Sequence, residues 1–196
     1  MGRDAVEWAS IAMQTVGGGP MSGAIFYDTQ HGSTRDYANW IAEATGLPTY
    51  NIREDDTALT QCDFIILGCP IYYYKPLAAS WMRRHTAALC AKPLIFFTVS
   101  GAPPSDKLNG WLAASLPPDL LIHAEHFALQ GRQVPKELRW HDRLMLIIAG
   151  LANRDRKAGR EEIEGFDYVD RQSIQPIVEK INALRAADAT GKDKAG

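Results

Sequence analysis

Short, fully apolar runs that break off into small or polar loops constrain this 196-residue chain more than any other feature. In 62–68, Phe64-Ile65-Ile66-Leu67 places large apolar side chains at successive positions and stops at Gly68. Successive side chains of a strand point to opposite faces, so such a run is apolar on both and belongs inside a parallel sheet. Residues 92–99 repeat the pattern and end in Ser100-Gly101-Ala102-Pro103-Pro104. Ala24-Ile25-Phe26-Tyr27 is a shorter copy, followed by Asp28-Thr29-Gln30-His31-Gly32-Ser33-Thr34. Segments of helical spacing separate the runs. The alternation predicts an α/β fold, a three-layer sandwich with helices on both faces of a parallel sheet and right-handed crossovers.

Five strands are expected, at 24–27, 48–52, 62–68, 92–99 and 120–129. Residues 35–44 read as the first helix, with Tyr37, Ile41 and Ala44 on one face and Thr45-Gly46 as the stop. Glu54-Asp55-Asp56 opens an acidic connector, either a solvated loop or a single helical turn. Residues 70–75 read as a loop, and Pro76 suits the first turn of a helix reaching about Leu89, with Leu77, Trp81 and Ala88 inward. Further helices are expected at 108–116, at 135–151 with Trp140, Leu144, Ile147 and Leu151 on one stripe, and at 168–186. Residues 154–165 read as a polar connection.

The length suits one well-buried domain. The expected organisation is an N-terminal extension or linker at 1–20, a domain at 21–186 and a disordered tail at 187–196. Gly17-Gly18-Gly19-Pro20 is linker-like and Met21 stands directly before the first strand. A flexible extension, a start at Met21 and a short docking helix at 5–15 are all compatible with that. The longest apolar run, 144–152, is nine residues, short of the roughly 20 that span a bilayer. The first 20 residues carry neither a basic start nor a long apolar core, so no secretory signal is read. Cys62, Cys69 and Cys90 are odd in number and lack Cys-x-x-Cys spacing, which favours a reducing cytosol over a disulfide framework. A cytoplasmic protein is expected.

Ligands of such sheets bind outside the carboxyl ends of the strands, where strand order reverses. The loops after the first, third and fourth strands are therefore the candidates. In the first, Thr29, Ser33 and Thr34 can donate to phosphate oxygens and Gly32 permits close backbone approach. The loop has no lysine, unlike a P-loop, and no G-x-G-x-x-G, so a phosphate monoester suits it better than a triphosphate. Ser and Thr before a helix serve equally as an N-cap run, and the loop alone does not separate the two. In the second, Gly68-Cys69-Pro70-Ile71-Tyr72-Tyr73-Tyr74, three adjacent tyrosines cannot all enter the core. An exposed ring suits stacking on an aromatic ligand; a rim of half-buried tyrosines is the plainer alternative. In the third, the small residues and amides of Ser100 and Gly101 can approach the polar edge of a flat ring. Cys69 is either redox-active or a packed thiol.

Thr29-x-x-Gly32-x-Thr34, Gly68-x-Pro70-Ile71-Tyr72 and Ser100-Gly101, each at the same sheet edge, resemble the three flavin loops of the flavodoxin fold. The resemblance covers about 23–186. It implies strand order 2-1-3-4-5 and FMN as cofactor, with Thr29, Gln30, His31, Gly32, Ser33, Thr34, Pro70, Ile71, Tyr72, Tyr73, Tyr74, Ser100 and Gly101 as contact residues. His31 and Ser33 stand where flavodoxins often carry Thr and Asn. Residues 70–85, the run Leu138-Arg139-Trp140-His141-Asp142-Arg143-Leu144-Met145 and the basic stretch after it are similar to the menaquinone-dependent protoporphyrinogen oxidase branch. That similarity implies oxidation of a porphyrinogen in heme biosynthesis, with a membrane quinone as acceptor. An electron carrier or quinone reductase, and a module that has lost FMN, are the alternatives.

Charge bears on the partner. The formal net charge is −2, which argues against wholesale nucleic-acid binding. Residues 131–160 nevertheless hold eight Lys/Arg against three Asp/Glu. Soluble carriers of this fold tend to be strongly acidic, and this balance matches them poorly. A basic, partly apolar helix suits peripheral contact with the inner face of an anionic membrane, where a quinone is met. A covering helix followed by a solvated loop is the alternative. Redox chemistry would belong to the cofactor, so no catalytic acid or base is assigned among His31, His123 and His126, with His31 kept as a ligand contact. No metal-ligand spacing is present, and Asp63 beside Cys62 reads as structural.

Overall fold

The computed structural model describes residues 21–101, 104–133 and 165–193. In chain order its elements are β1 (Gly23–Tyr27), α1 (Ser33–Thr45), β2 (Thr49–Asn51), a 3₁₀ turn over Thr57–Thr60, β3 (Phe64–Tyr72) and β4 (Lys75–Pro76). There follow α2 (Ala79–Arg84), α3 (Thr86–Cys90), β5 (Leu94–Ser100), α4 (Asp106–Ser115), α5 (Pro118–His123) and β6 (Glu125–Gln130). Next come β7 (Arg132–Gln133), β8 (Phe166–Asp167), a second 3₁₀ turn over Arg171–Ile174 and α6 (Gln175–Asp193). The main sheet runs β2-β1-β3-β5-β6, all parallel, with β4 added antiparallel to β3. Counting only the five parallel strands, this is the expected order 2-1-3-4-5.

The apolar runs divide between two cores as the pleat requires. Ile25, Ile66, Ile95 and Phe97 face α1 and α6, where Tyr37, Ile41, Ile177 and Ile181 meet them. Ala24, Phe26, Ile65, Leu67 and Phe96 face the other layer, made by Met82, Leu89, Leu112 and Leu120. Asp63 accepts from Ser22 N and Oγ, both at 2.8 Å, a structural tie between the entries to β1 and β3.

Several expected boundaries move. Residues 70–75 are not a loop: β3 runs on to Tyr72, its register with β5 continuing to Pro70 opposite Val99, and then turns back into β4. Pro76 therefore sits in a strand, not a first helical turn. The expected helix to Leu89 is two helices broken at His85. There the Thr86 hydroxyl donates to Met82 O at 3.0 Å and Arg83 O at 3.1 Å, competing with the helical ladder. Leu77 and Ala88 are half-buried, while Ala78, Ala79, Met82 and Leu89 join Trp81 in the core. On α1, Thr34, Tyr37, Ala38 and Ile41 form the buried stripe and Ala44 is exposed, because 3.6 residues per turn carry position 44 to the flank.

Residues 120–123 are helical, with Pro118 at the start of α5 and Asp119 in its first turn, so β6 begins only at Glu125. Tyr168 lies before the closing helix, which opens as a 3₁₀ turn and continues past Ala186 to Asp193. The expected helix at 135–151, the extension at 1–20 and most of the connection at 154–165 lie outside the described residues. Among the described residues no helix is long and apolar enough to cross a membrane.

Candidate functional site

β1, β3 and β5 are neighbours, so the segments that follow them emerge together from the carboxyl edge of the sheet. Asp28 leaves β1 with its N–H donating to Gly68 O at 2.9 Å. Its buried carboxylate accepts from Thr29 N at 2.8 Å and pairs with Arg53 Nε at 2.7 Å. Thr29 Oγ1 accepts from Gly32 N at 3.1 Å, closing the loop on itself. Gly32 has φ 85°, the left-handed region that glycine tolerates at least cost, and α1 begins at the next residue.

No side chain caps α1. The N–H groups of its first turn have no acceptor within the helix, apart from Asp36 N, which reaches Gly32 O at 3.0 Å. Ser33 is buried, its hydroxyl accepting from Arg132 N at 3.2 Å. Thr34 is 1% exposed and, among the described residues, its Oγ1 has no hydrogen-bond partner. Leaving such a hydroxyl unsatisfied costs about 1–3 kcal/mol. Among the described residues the side-chain cap of the N-cap alternative is absent from this helix start. Gln30 is exposed, and the His31 ring centroid lies 6.2 Å from that of Tyr72, joining the first loop to the second.

In the second loop Pro70 and Ile71 are half-buried strand residues, and Pro70 O accepts from Leu77 N at 2.9 Å. Tyr73 and Tyr74 make the turn, with φ 47° and 64°. Positive φ at both central residues is the geometry of a type I′ hairpin turn, which favours Asn-Gly and strains two tyrosines. The result is two rings held outward: Tyr73 is 53% and Tyr74 70% exposed. Tyr73 meets Tyr72 edge-on at 4.5 Å, and Tyr74 lies 5.1 Å from Trp111 of α4.

In the third, Ser100 is buried and its carbonyl accepts from Gly131 N at 2.8 Å. Gly101 lies beneath Phe166, where a Cβ would stand 2.2 Å from the ring. All three expected loops are brought to one edge. Several residues there escaped the sequence reading: Gly131 and Arg132 after β6, Trp111 on α4, and Phe166 of β8, which stacks on Tyr168 at 5.1 Å. An aromatic pair directly after Gly165, at the end of a polar stretch, was the available signal for the last.

The remaining titratable candidates lie elsewhere. His126 meets Thr98 Oγ1 at 2.9 Å in the body of the sheet, and burial pushes its pKa down to about 4. His123 Nε2 donates to Lys92 O at 2.6 Å. Cys69 is fully buried and burial pushes its thiol up to about 12, so it is a packed thiol without access to a reaction.

With this geometry in place, a family model described as a flavodoxin domain matches residues 24–181. The chain belongs to the flavodoxin-domain family. The match is to the domain as a whole and does not single out the protoporphyrinogen oxidase branch. This flavodoxin-domain chain is similar to two-electron-reduced flavodoxin from Megasphaera elsdenii, at 19% identity over 55% of this chain and 83% of that one, TM-score 0.41. It is similar to a WrbA-like flavodoxin protein of Agrobacterium tumefaciens, at 22% identity over 55% and 83%, TM-score 0.39. A flavoprotein in complex with FMN from Lactobacillus acidophilus aligns at 10% identity over 56% and 92%, TM-score 0.40. Likenesses this loose add nothing to what the family match establishes. No protein of curated function matches the sequence.

Proposed function

We propose that this flavodoxin-domain protein binds FMN at the three-loop edge and works as an FMN-dependent oxidoreductase. The observation that carries the reading is the buried, unpaired Thr34 hydroxyl in the first turn of an uncapped helix. A phosphate monoester supplies the acceptor that this hydroxyl and the neighbouring N–H groups lack. Thr29, Gly32, Ser33 and Thr34 would hold the phosphate, with Gln30 and His31 beside it. Tyr72, Tyr73 and Tyr74 would lie against the ring, with Pro70 and Ile71 fixing the strand beneath them. Ser100 and Gly101 would meet its polar edge. FMN bound there supplies one- and two-electron transfer. The protein's part is to hold the ring, keep water from its buried side and set its surroundings.

Titration of the ligand-free protein with FMN, followed by flavin fluorescence, tests this. A protein that stays colourless and leaves the fluorescence unchanged refutes it, and favours the module that has lost its cofactor.

The finer reading is oxidation of a porphyrinogen with a quinone as electron acceptor, by a cytoplasmic protein that rests on the inner membrane face through 131–160. Its support is the Leu138–Met145 run, the excess of Lys/Arg over Asp/Glu in 131–160 and the exposed aromatic rim of Tyr73 and Tyr74. Bleaching of bound flavin by protoporphyrinogen and its recovery with menaquinone would support it. Exchange with a quinone alone favours a quinone reductase, and exchange with neither favours a carrier with a protein partner.

A further inference from the structure

We infer that Arg35, outside the three loops, is a direct cationic ligand for the phosphate monoester of the cofactor. Three arginines of the described structure stand at the first loop and its flanks. Arg53 is committed to Asp28, and Arg132 is paired with Asp36. Arg35 is exposed and, among the described residues, has no carboxylate partner. Its guanidinium does not extend away from the loop: Nη2 lies 3.5 Å from the point a Cβ on Gly32 would occupy. A cation with no carboxylate partner among the described residues thus lies close to the left-handed glycine that opens α1.

A helix N-terminus alone would be an ordinary feature. Here it coincides with the Thr34 hydroxyl, 1% exposed and unpaired in the same turn. Hydroxyl and N–H groups belong to one helical turn and the guanidinium lies by the glycine that opens it; the ligand all three prefer is a dianionic oxygen cluster. Asp36, one residue further along α1, would repel such a group, and Arg132 neutralises it. Among the described residues that leaves the Arg35 charge uncancelled. The loop therefore does not rely on neutral donors alone, although it has no lysine.

The inference rests on the FMN reading, and the test separates the two. Wild type, Arg35→Gln and Arg35→Lys are titrated with FMN and with riboflavin at low and high salt. A charge-assisted contact makes the expected loss of FMN affinity in Arg35→Gln about 10- to 150-fold. Riboflavin affinity stays unchanged, the salt dependence of FMN binding flattens, and Arg35→Lys recovers part of the loss. Equal FMN affinity in wild type and Arg35→Gln, or an equal loss for riboflavin, overturns the assignment. If wild type takes up neither flavin, the functional reading falls and Arg35 is judged by inorganic phosphate. Weaker phosphate binding in Arg35→Gln then supports the assignment, and unchanged binding overturns it.

Discussion

Phe166 lies so close over Gly101 that a Cβ on the glycine would stand 2.2 Å from the ring. The contact joins residues 65 positions apart in the chain, and Tyr168 N donating to Gly131 O at 3.1 Å fastens the same arm. Gly101→Ala must push the ring or the loop aside. We expect a stability loss of about 1–3 kcal/mol in urea unfolding, the usual cost of overpacking. The double variant G101A/F166A should lose less than the sum of the single changes, because the clash is shared. Additive losses would mean that ring and glycine do not meet.

Thr34 separates stability from binding. Thr34→Val keeps the shape of the side chain and removes a buried hydroxyl that has no partner in the ligand-free structure. The ligand-free variant should be as stable as wild type or up to about 1 kcal/mol more stable, since no satisfied bond is lost. Its FMN affinity should fall by about 1.5–3 kcal/mol. Thermal unfolding with and without FMN measures both. A destabilised ligand-free variant would show the hydroxyl to be satisfied within the protein.

The Tyr73–Tyr74 turn stores strain for exposure. Replacing both, Tyr73→Asn with Tyr74→Gly, installs the residues that a turn of positive φ prefers, and should raise stability by about 1 kcal/mol or more. The same change removes the outward rings, so FMN binding should weaken. An unchanged FMN affinity would place the flavin ring away from this turn.

His126 gives the fold a pH dependence. Burial lowers its pKa from 6.5 to about 4, so the folded state favours the neutral ring. Its stabilising contribution is complete above about pH 6.5 and is lost as the pH falls towards 4. A shift of this size corresponds to roughly 3 kcal/mol as an order of magnitude. Comparing wild type with His126→Gln in urea between pH 7 and pH ~4.5 cancels the carboxylates common to both. The wild-type stability should fall more steeply; parallel curves would show that His126 titrates normally.

Much of the fold was legible because it is set by near neighbours in the chain. Phe64–Leu67 and Leu94–Phe97 are apolar at every position, which admits only burial on both faces of a sheet. The candidate loop at 29–34 was legible as a unit for the same reason, its glycine and hydroxyls all lying within six residues. Local pattern misled where a side-chain hydroxyl broke a helix, at Thr86, and where pairing with a neighbouring strand drew Pro76 out of one.

By itself the sequence determined the sheet, its parallel sense and the three loops that end its central strands, since burial and turn chemistry act over a few residues. The tertiary structure alone decided which described arginines pair with Asp28 and Asp36, which glycine lies beneath Phe166, and that Trp111 backs Tyr74. Those facts depend on side chains far apart in the chain meeting in space. Among the described residues the carboxylates nearest the loop in sequence, Asp28 and Asp36, are each taken by an arginine other than Arg35.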